Sequence, residues 1–387
     1  MMEGWRTIRL GDACNTNVDS YSPKEKWPFV NYLDTGNITD NRIDAVQHID
    51  VKHEKLPSRA RRKVRRNSII YSTVRPNQRH FGIIKKQPDN FLVSTGFAVI
   101  DTDEEVLDAD FLYYLLAQST VVEKLHAIAE QSTSVYPSIK PSDIEDLEIC
   151  IPDIEIQKQI AEILSSLDRK VEQNSEINKN LSEQLQVLYS SKFDPYVHTA
   201  SAMLSEICHY STDKINVDKL STKTYYSTEN MQPNKISAIE ASSLPNIKQT
   251  TRCHKGDVLV SNIRPYFKKI EYVTEDCGCS TDVLCFVPES KEMSAYLYET
   301  LYSDRFFDYM VAGSKGTKMP RGDKQQIMQY RIVIPSPKQL TLFNSAATPM
   351  LALIANTVLE SERLSVLRDS LLPKLMSGEI DVSDIDL

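Results

Sequence analysis

Apolar positions between Gln157 and Leu188 recur in alternating steps of four and three: Ile160, Leu164, Leu167, Val171, Asn174, Asn178, Leu181, Leu185 and Leu188. That heptad pattern predicts one long helix whose stripe needs a partner, with Asn174 and Asn178 as its polar members. These 32 residues hold neither Gly nor Pro, and Pro152 and Pro195 flank them as stop signals. At 1.5 Å per residue the rod would span roughly 48 Å, too long for the helix of one compact lobe. An ordinary amphipathic core helix would show the same stripe. A weaker partner pattern lies near the other end of the chain. Met350 to Met376 places Leu353, Leu364, Leu367 and Leu371 at helical spacing, with Asn356 among them. Thr357 and Glu360 fall where this second seam should be apolar, so a kink is expected there.

β-rich runs at Ser68–Val74, Phe91–Ile100, Val258–Ile263 and Val283–Val287 predict strands, and Asp110–Ala129 and Ala295–Val311 predict helices. Self-similarity explains why these runs come in pairs. Lys63–Pro76 lies over Arg252–Pro265 without a gap at an offset of 189, sharing Ser72/Ser261 and the Arg-Pro ending. Asp34–Ile38 answers Ser227–Met231, and Ser94–Phe97 answers Ser280–Val283. Pro137 and Pro152 bracket an apolar run, as do Pro320 and Pro335; Asn174 falls on Asn356. A collinear series of this kind is not chance. The fold class expected is therefore α/β (α+β): two pseudo-repeated lobes, joined and separated by two long coiled-coil helices. Pairing about a pseudo-two-fold makes those helices antiparallel and puts one lobe at each end of the rod.

Composition narrows the function. The chain has 387 residues, 41% of them hydrophobic and 25% charged, enough for two or three soluble domains. No apolar run approaches the 18 residues of a membrane span, the start does not look like a signal peptide, and a cytoplasmic location is expected. Seven cysteines without a Cys-x-x-Cys pair suit reduced thiols. Cys277, Cys279 and Cys285 are better read as small strand residues than as metal ligands, so no metal is expected. There is no G-x-G-x-x-G, Walker loop or H-E-x-x-H. The chain is not expected to be an enzyme or to carry a cofactor.

The net charge of −8 argues against nucleic acid, but its distribution argues for it. Lys52–Lys86 holds 12 Lys or Arg against one acid, and Lys248–Lys269 holds six against one. The runs sit at the same place in both repeats. Such cations would hold phosphates, while Arg, Asn and Gln read bases bidentately. The candidates are Arg61, Arg62, Lys63, Arg66, Arg75, Asn77, Gln78 and Arg79, then Arg252, Lys255, Asn262, Arg264, Tyr266 and Lys268. Arg75 and Arg264 could equally be structural residues ahead of turn-forming prolines. Acids between Asp143 and Glu155 have no attendant His and suit a solvated or partner-facing edge rather than catalysis.

Pro152–Asp168, the Asn-rich heptads that follow, and Leu367–Ile380 together resemble the specificity (S) subunits of type I restriction–modification systems. The resemblance spans essentially the full chain and weakens between Phe343 and Pro349. It implies target-recognition domains at 1–152 and 194–335, a central helix at 153–193, and a C-terminal helix and tail at 336–387. Each domain would read one half of an asymmetric bipartite sequence in double-stranded DNA. The helices would set the spacer and dock two adenine methyltransferase subunits, which bind S-adenosylmethionine, and a motor-nuclease subunit would join them. A type IIB-like specificity partner, or a scaffold that binds protein and no DNA, would show the same layout.

Overall fold

The computed structural model describes residues 4–132, 136–194, 198 and 202–382, so the expected stop at Pro195 lies outside the described residues. Two compact units divide the chain, Met1–Lys170 with Arg363–Leu387, and Val171–Glu362.

In the first unit, Cys14–Thr16, Phe97–Thr102, Ile69–Ser72 and Phe81–Ile83 form one antiparallel sheet. Gln47–Asp50, Phe29–Leu33, Phe91–Ser94 and Ala60–Lys63 form a second, in which Phe91–Ser94 runs parallel to Phe29–Leu33. The run predicted as one strand, Phe91–Ile100, is thus two strands in two sheets. It turns at Gly96, where a Cβ would meet Thr35 Cγ2 at 2.9 Å. The run predicted as one helix is also two, α1 (Ala109–Ala117) and α2 (Ser119–Glu130), because Gln118 is extended at φ −60°, ψ 136°. Asp108 caps α1 by accepting the Phe111 N–H at 2.9 Å. The short α3 (Pro141–Glu145) leads to Glu148–Ile151, which pairs with Arg6–Arg9, and then to α4 (Ile154–Phe193).

The second unit repeats this plan. Cys208–Tyr210, Val283–Pro288, Val258–Ser261 and Ile270–Tyr272 make the antiparallel sheet. Lys214–Asn216, Gln249–Cys253, Cys277–Cys279 and Tyr225–Tyr226 make the mixed one. Here too the predicted helix breaks, into α5 (Ser294–Tyr302) and α6 (Asp304–Ala312), with Ser303 Oγ accepting the Phe306 N–H. α7 (Lys324–Ile327) leads on to α8 (Pro337–Met376). The repeat seen in the sequence is a repeat of structure, helix breaks included, except that the fourth strand of the mixed sheet pairs with Phe29–Leu33 in the first unit and with Gln249–Cys253 in the second.

α4 and α8 are 40 residues each. α4 exceeds its predicted span at both ends, and α8 starts 13 residues before Met350, with Pro349 on its exposed face. By length and composition α8 would pass as a membrane span, at a mean hydropathy of 1.4 over its best 18 residues. Part of its apolar surface is buried in the two cores. Phe343, Ala347 and Leu351 pack with Leu185, Tyr189 and Phe193 of α4 in the second unit's core. The first unit's core takes Ile160 and Leu164 with Leu371, Leu372 and Leu375. Within the second unit Phe193 meets Phe343, Asn178 meets Thr357 and Asn174 meets Ser361, so the helices run antiparallel there.

The α4 seam is as predicted: Ile160, Leu164, Asn174 and Leu185 are buried, and Leu167, Val171, Asn178, Leu181 and Leu188 half-buried. The α8 seam needs correcting. Leu364 and Leu371 belong to it, but Leu353, Asn356 and Leu367 are exposed, at 45% for Leu353 and 46% for Leu367. Ile354, Ser361 and Arg368 hold those places instead. The contact is polar at its middle, which hid its register. Asn174 Nδ2 donates to Glu360 Oε2 at 2.8 Å and to Ser361 Oγ at 3.2 Å, and Thr357 Oγ1 donates to Asn178 Oδ1. In the first unit Arg368 Nη1 meets Asp168 Oδ1 at 2.5 Å, and Asp168 Oδ2 accepts Tyr114 Oη at 2.6 Å.

Candidate nucleic-acid interface

Both antiparallel sheets carry the same unusual loop at one end. Ile69–Ser72 leads to Arg75, at φ 49°, ψ 67°, then to a turn of 3-10 helix at Pro76–Gln78, then to Arg79 at φ 56°, ψ 34°. Val258–Ser261 leads to Arg264 at φ 49°, ψ 62°, the same turn at Pro265–Phe267, then Lys268 at φ 52°, ψ 49°. Left-handed backbone costs an L-residue about 1–2 kcal/mol, and neither loop places glycine there. Matched backbone contacts hold the strain. The Arg75 N–H donates to the Pro137 carbonyl at 2.9 Å and the Arg264 N–H to that of Pro320 at 2.8 Å.

Other repeated motifs converge on the same edge. In the first unit Thr73 N–H donates to Gly96 O at 2.8 Å, and Gly96 abuts Thr35. In the second, Asn262 N–H donates to Asp282 O at 2.8 Å, and Lys269 Nζ reaches Thr228 O at 2.5 Å. A left-handed pair, Asp40-Asn41, closes the first loop through Asp40 N–H to Arg79 O at 2.9 Å. Asn234-Lys235, also left-handed, closes the second through Lys235 N–H to Lys268 O at 2.9 Å.

Of the first unit's candidates, Arg75, Asn77 and Gln78 stand exposed on the loop, with the Arg75 guanidinium 5.1 Å from the Tyr136 ring centre. Arg79 turns inward: Nε meets Asp40 at 2.5 Å, and Nη2 donates to Ala117 O at 3.0 Å. It holds the loop rather than facing solvent. Lys63 is likewise engaged, by Glu25 at 2.8 Å and Asp19 at 3.6 Å, and those contacts raise its pKa. Arg62 is half-buried, which lowers its pKa and leaves Nε without a partner. Arg66 is exposed at the far end of Ile69–Ser72, and Arg61 lines a separate cleft.

The second unit divides its candidates in the same way. Tyr266 is exposed beside Phe267, Arg264 is half-buried with Nε unpartnered, and Lys268 pairs with Asp304 at 2.7 Å. Asn262 is buried with its Oδ1 unpartnered. Arg252 is tied to Asp276 at 2.8 Å, and Lys255 is exposed before Val258–Ser261, away from the loop. Neither basic run forms a single surface. Each is split between two sheets. Arg61, Arg62, Lys63 and Arg252 lie on strands of the mixed sheets. Arg66 and Lys255 precede Ile69–Ser72 and Val258–Ser261, and Arg75 and Arg264 follow those strands, about 13 Å away at 3.3 Å per residue.

Asp40, Tyr136, Lys235 and Asp304 were missed. Asp-Asn and Asn-Lys pairs are turn signals that could have exposed the two left-handed corners. Nothing local marks Asp304, which reaches the loop from the start of α6. Among the described residues, no group of three or more His, Cys, Asp or Glu is spaced to hold a metal ion.

Residues 2–183 match the type I restriction modification DNA specificity domain. Over 98% of its length the chain is 22% identical to the whole of the type I restriction enzyme HindI specificity subunit of Haemophilus influenzae. Over 97% it is 22% identical to the MjaIX specificity subunit of Methanocaldococcus jannaschii, covering 93% of that protein. The crystal structure of a type I restriction–modification S subunit from M. genitalium covers 96% of both chains at a TM-score of 0.58 and 18% identity, which shows a shared fold.

Proposed function

We infer that the chain is a type I restriction–modification specificity subunit and that each unit reads one half of a bipartite DNA target through its left-handed loop edge. The observation that carries this is the convergence of the repeat. Motifs far apart in sequence meet at one edge in each unit, and an arginine is held there at a costly, matched backbone angle. Strain of this kind is retained where a side chain must be presented in a fixed direction. Arg75, Asn77 and Gln78 would read one half-site, and Arg264 and Tyr266 the other. Because the side chains differ, the half-sites differ.

The chain's part is recognition, with the chemistry on its partners. Two methyltransferase subunits carrying S-adenosylmethionine would dock on α4 and α8, and a motor-nuclease subunit would complete the cytoplasmic complex. The exposed apolar side chains of these helices, among them Val187, Leu342, Leu353 and Leu367, support such docking.

A footprint of the complex of this chain with its methyltransferase tests the proposal. Two protected patches flanking an unread spacer are expected, with affinity that falls steeply as salt rises. The absence of any footprint at low salt would leave a protein scaffold.

A further inference from the structure

Beside the first unit's loop edge lies a cleft of about 510 Å³. Tyr21, Trp27 and Leu56 supply its apolar wall, and Lys26, Lys52 and Arg61 its charge; no acid lines it. The Trp27 indole is half-buried, with its ring centre 4.7 Å from that of Tyr21. Lys63 also approaches the indole, at 5.6 Å, but Glu25 and Asp19 neutralise it. Lys26, Lys52 and Arg61 have no ion pair among the described residues. The cleft adjoins the loop edge through strand pairing, because Thr95 N–H donates to Arg59 O at 2.8 Å and Ser94 pairs with Ala60. The second unit carries no tryptophan, the chain's other one being Trp5.

An aromatic wall with unpaired cations at its rim suits a ligand that is flat and apolar on its faces and anionic at one end. A groove for a neutral peptide would not need three cations, and a site for simple phosphate would not need the indole. We propose that this cleft holds one unstacked nucleotide of the DNA bound by the first unit, its base against Trp27 and its phosphate facing Lys52 and Arg61. The proposal rests on the DNA-reading role above. It makes recognition by the first unit depend on DNA that can release a base beside the half-site.

The test uses the full-length chain and a duplex of arbitrary sequence carrying one extra, unpaired 2-aminopurine, beside the same duplex fully paired. The expected result is saturable quenching of the unpaired base, with tighter binding of the bulged duplex than of the paired one. Stacking on an aromatic side chain is worth roughly 1–3 kcal/mol per base, so Trp27→Leu should weaken that binding about tenfold and restore the fluorescence. Trp27→Phe should keep most of the quenching, which separates stacking from folding. Lys52→Ala with Arg61→Ala should weaken binding and flatten its salt dependence. Equal fluorescence with wild type and Trp27→Leu would overturn the proposal. So would displacement by an acidic aromatic peptide when the bulged duplex does not bind, which would assign the cleft to a protein. The duplex carries no target, so failure here leaves half-site reading intact, and loss of half-site reading in loop variants leaves this result intact.

Discussion

Asp304 Oδ1 lies 2.7 Å from Lys268 Nζ at the second unit's loop, and the same oxygen lies 2.8 Å from Lys235 Nζ on the turn that closes it. In the first unit the corresponding turn and loop carry Asp40 and Arg79, which pair directly. Two lysines facing each other need a third party, and the carboxylate at the start of α6 supplies it. Both lysines hold the Asp304 carboxyl below its ordinary pKa, and the helix N-terminus favours the anion as well.

Asp304→Asn should therefore loosen one loop only. The Asp304 side chain is 63% exposed although its two lysine partners are mostly covered, so the loss of global stability should be about 1 kcal/mol. Binding to DNA altered in the second half-site should become less discriminating, while discrimination at the first stays as in wild type. Competition binding with half-site variants checks this, and an equal loss at both halves would refute it.

Glu299 is 1% exposed, and Gln186 Nε2 on α4 donates to its Oε2 at 2.5 Å. Burial pushes its pKa up to about 8. A raised carboxyl pKa means that folding favours the protonated form. Its contribution to stability is complete below the unfolded value near 4.5 and is lost as pH rises through about 8. Glu299→Gln removes that dependence. Thermal unfolding from pH 5 to 9 should show the variant gaining on wild type as pH rises, by on the order of 2–4 kcal/mol at pH 9. A constant difference across the range would contradict it.

The register of α8 can be tested by contrast. Leu351 is 5% exposed in the second unit's core and Leu353 is 45% exposed. Leu351→Ala should cost about 2–4 kcal/mol. Leu353→Ala should stay within about 0.5 kcal/mol for the chain, and any larger effect should appear only in methyltransferase binding. Denaturant unfolding of the two variants decides the register, and equal costs would restore the seam expected from sequence.

Much of this fold was legible because repetition reinforced it. The α4 seam was readable from its leucines, and the two-copy plan from Arg75-Pro76 over Arg264-Pro265. The α8 seam was misread because Ser361 and Arg368 hold inward positions while Leu353 and Leu367 point outward. There, hydrogen bonds and an ion pair do what apolar contact does elsewhere. The breaks at Gln118 and Ser303 were missed because both helices of each pair bury apolar faces, which merges their patterns. For the candidate interface, sequence located the loops. It could not separate Arg75, which faces solvent, from Arg79, which folds back on Asp40, because direction depends on backbone sign and a distant partner. The basic runs misled for the same reason: residues close in sequence end up on different sheets or at opposite ends of a strand.

A map of adenine methylation across the host genome tests the central claim most directly, taken with the wild-type chain, with Arg75→Ala and with Arg264→Ala. The wild type should give one split, asymmetric motif. Arg75→Ala should relax positions in one half and Arg264→Ala in the other, each by the roughly 1–3 kcal/mol that a bidentate base contact supplies. Maps that keep the wild-type motif in both variants, or that relax both halves in either one, would contradict the assignment of one half-site to each loop.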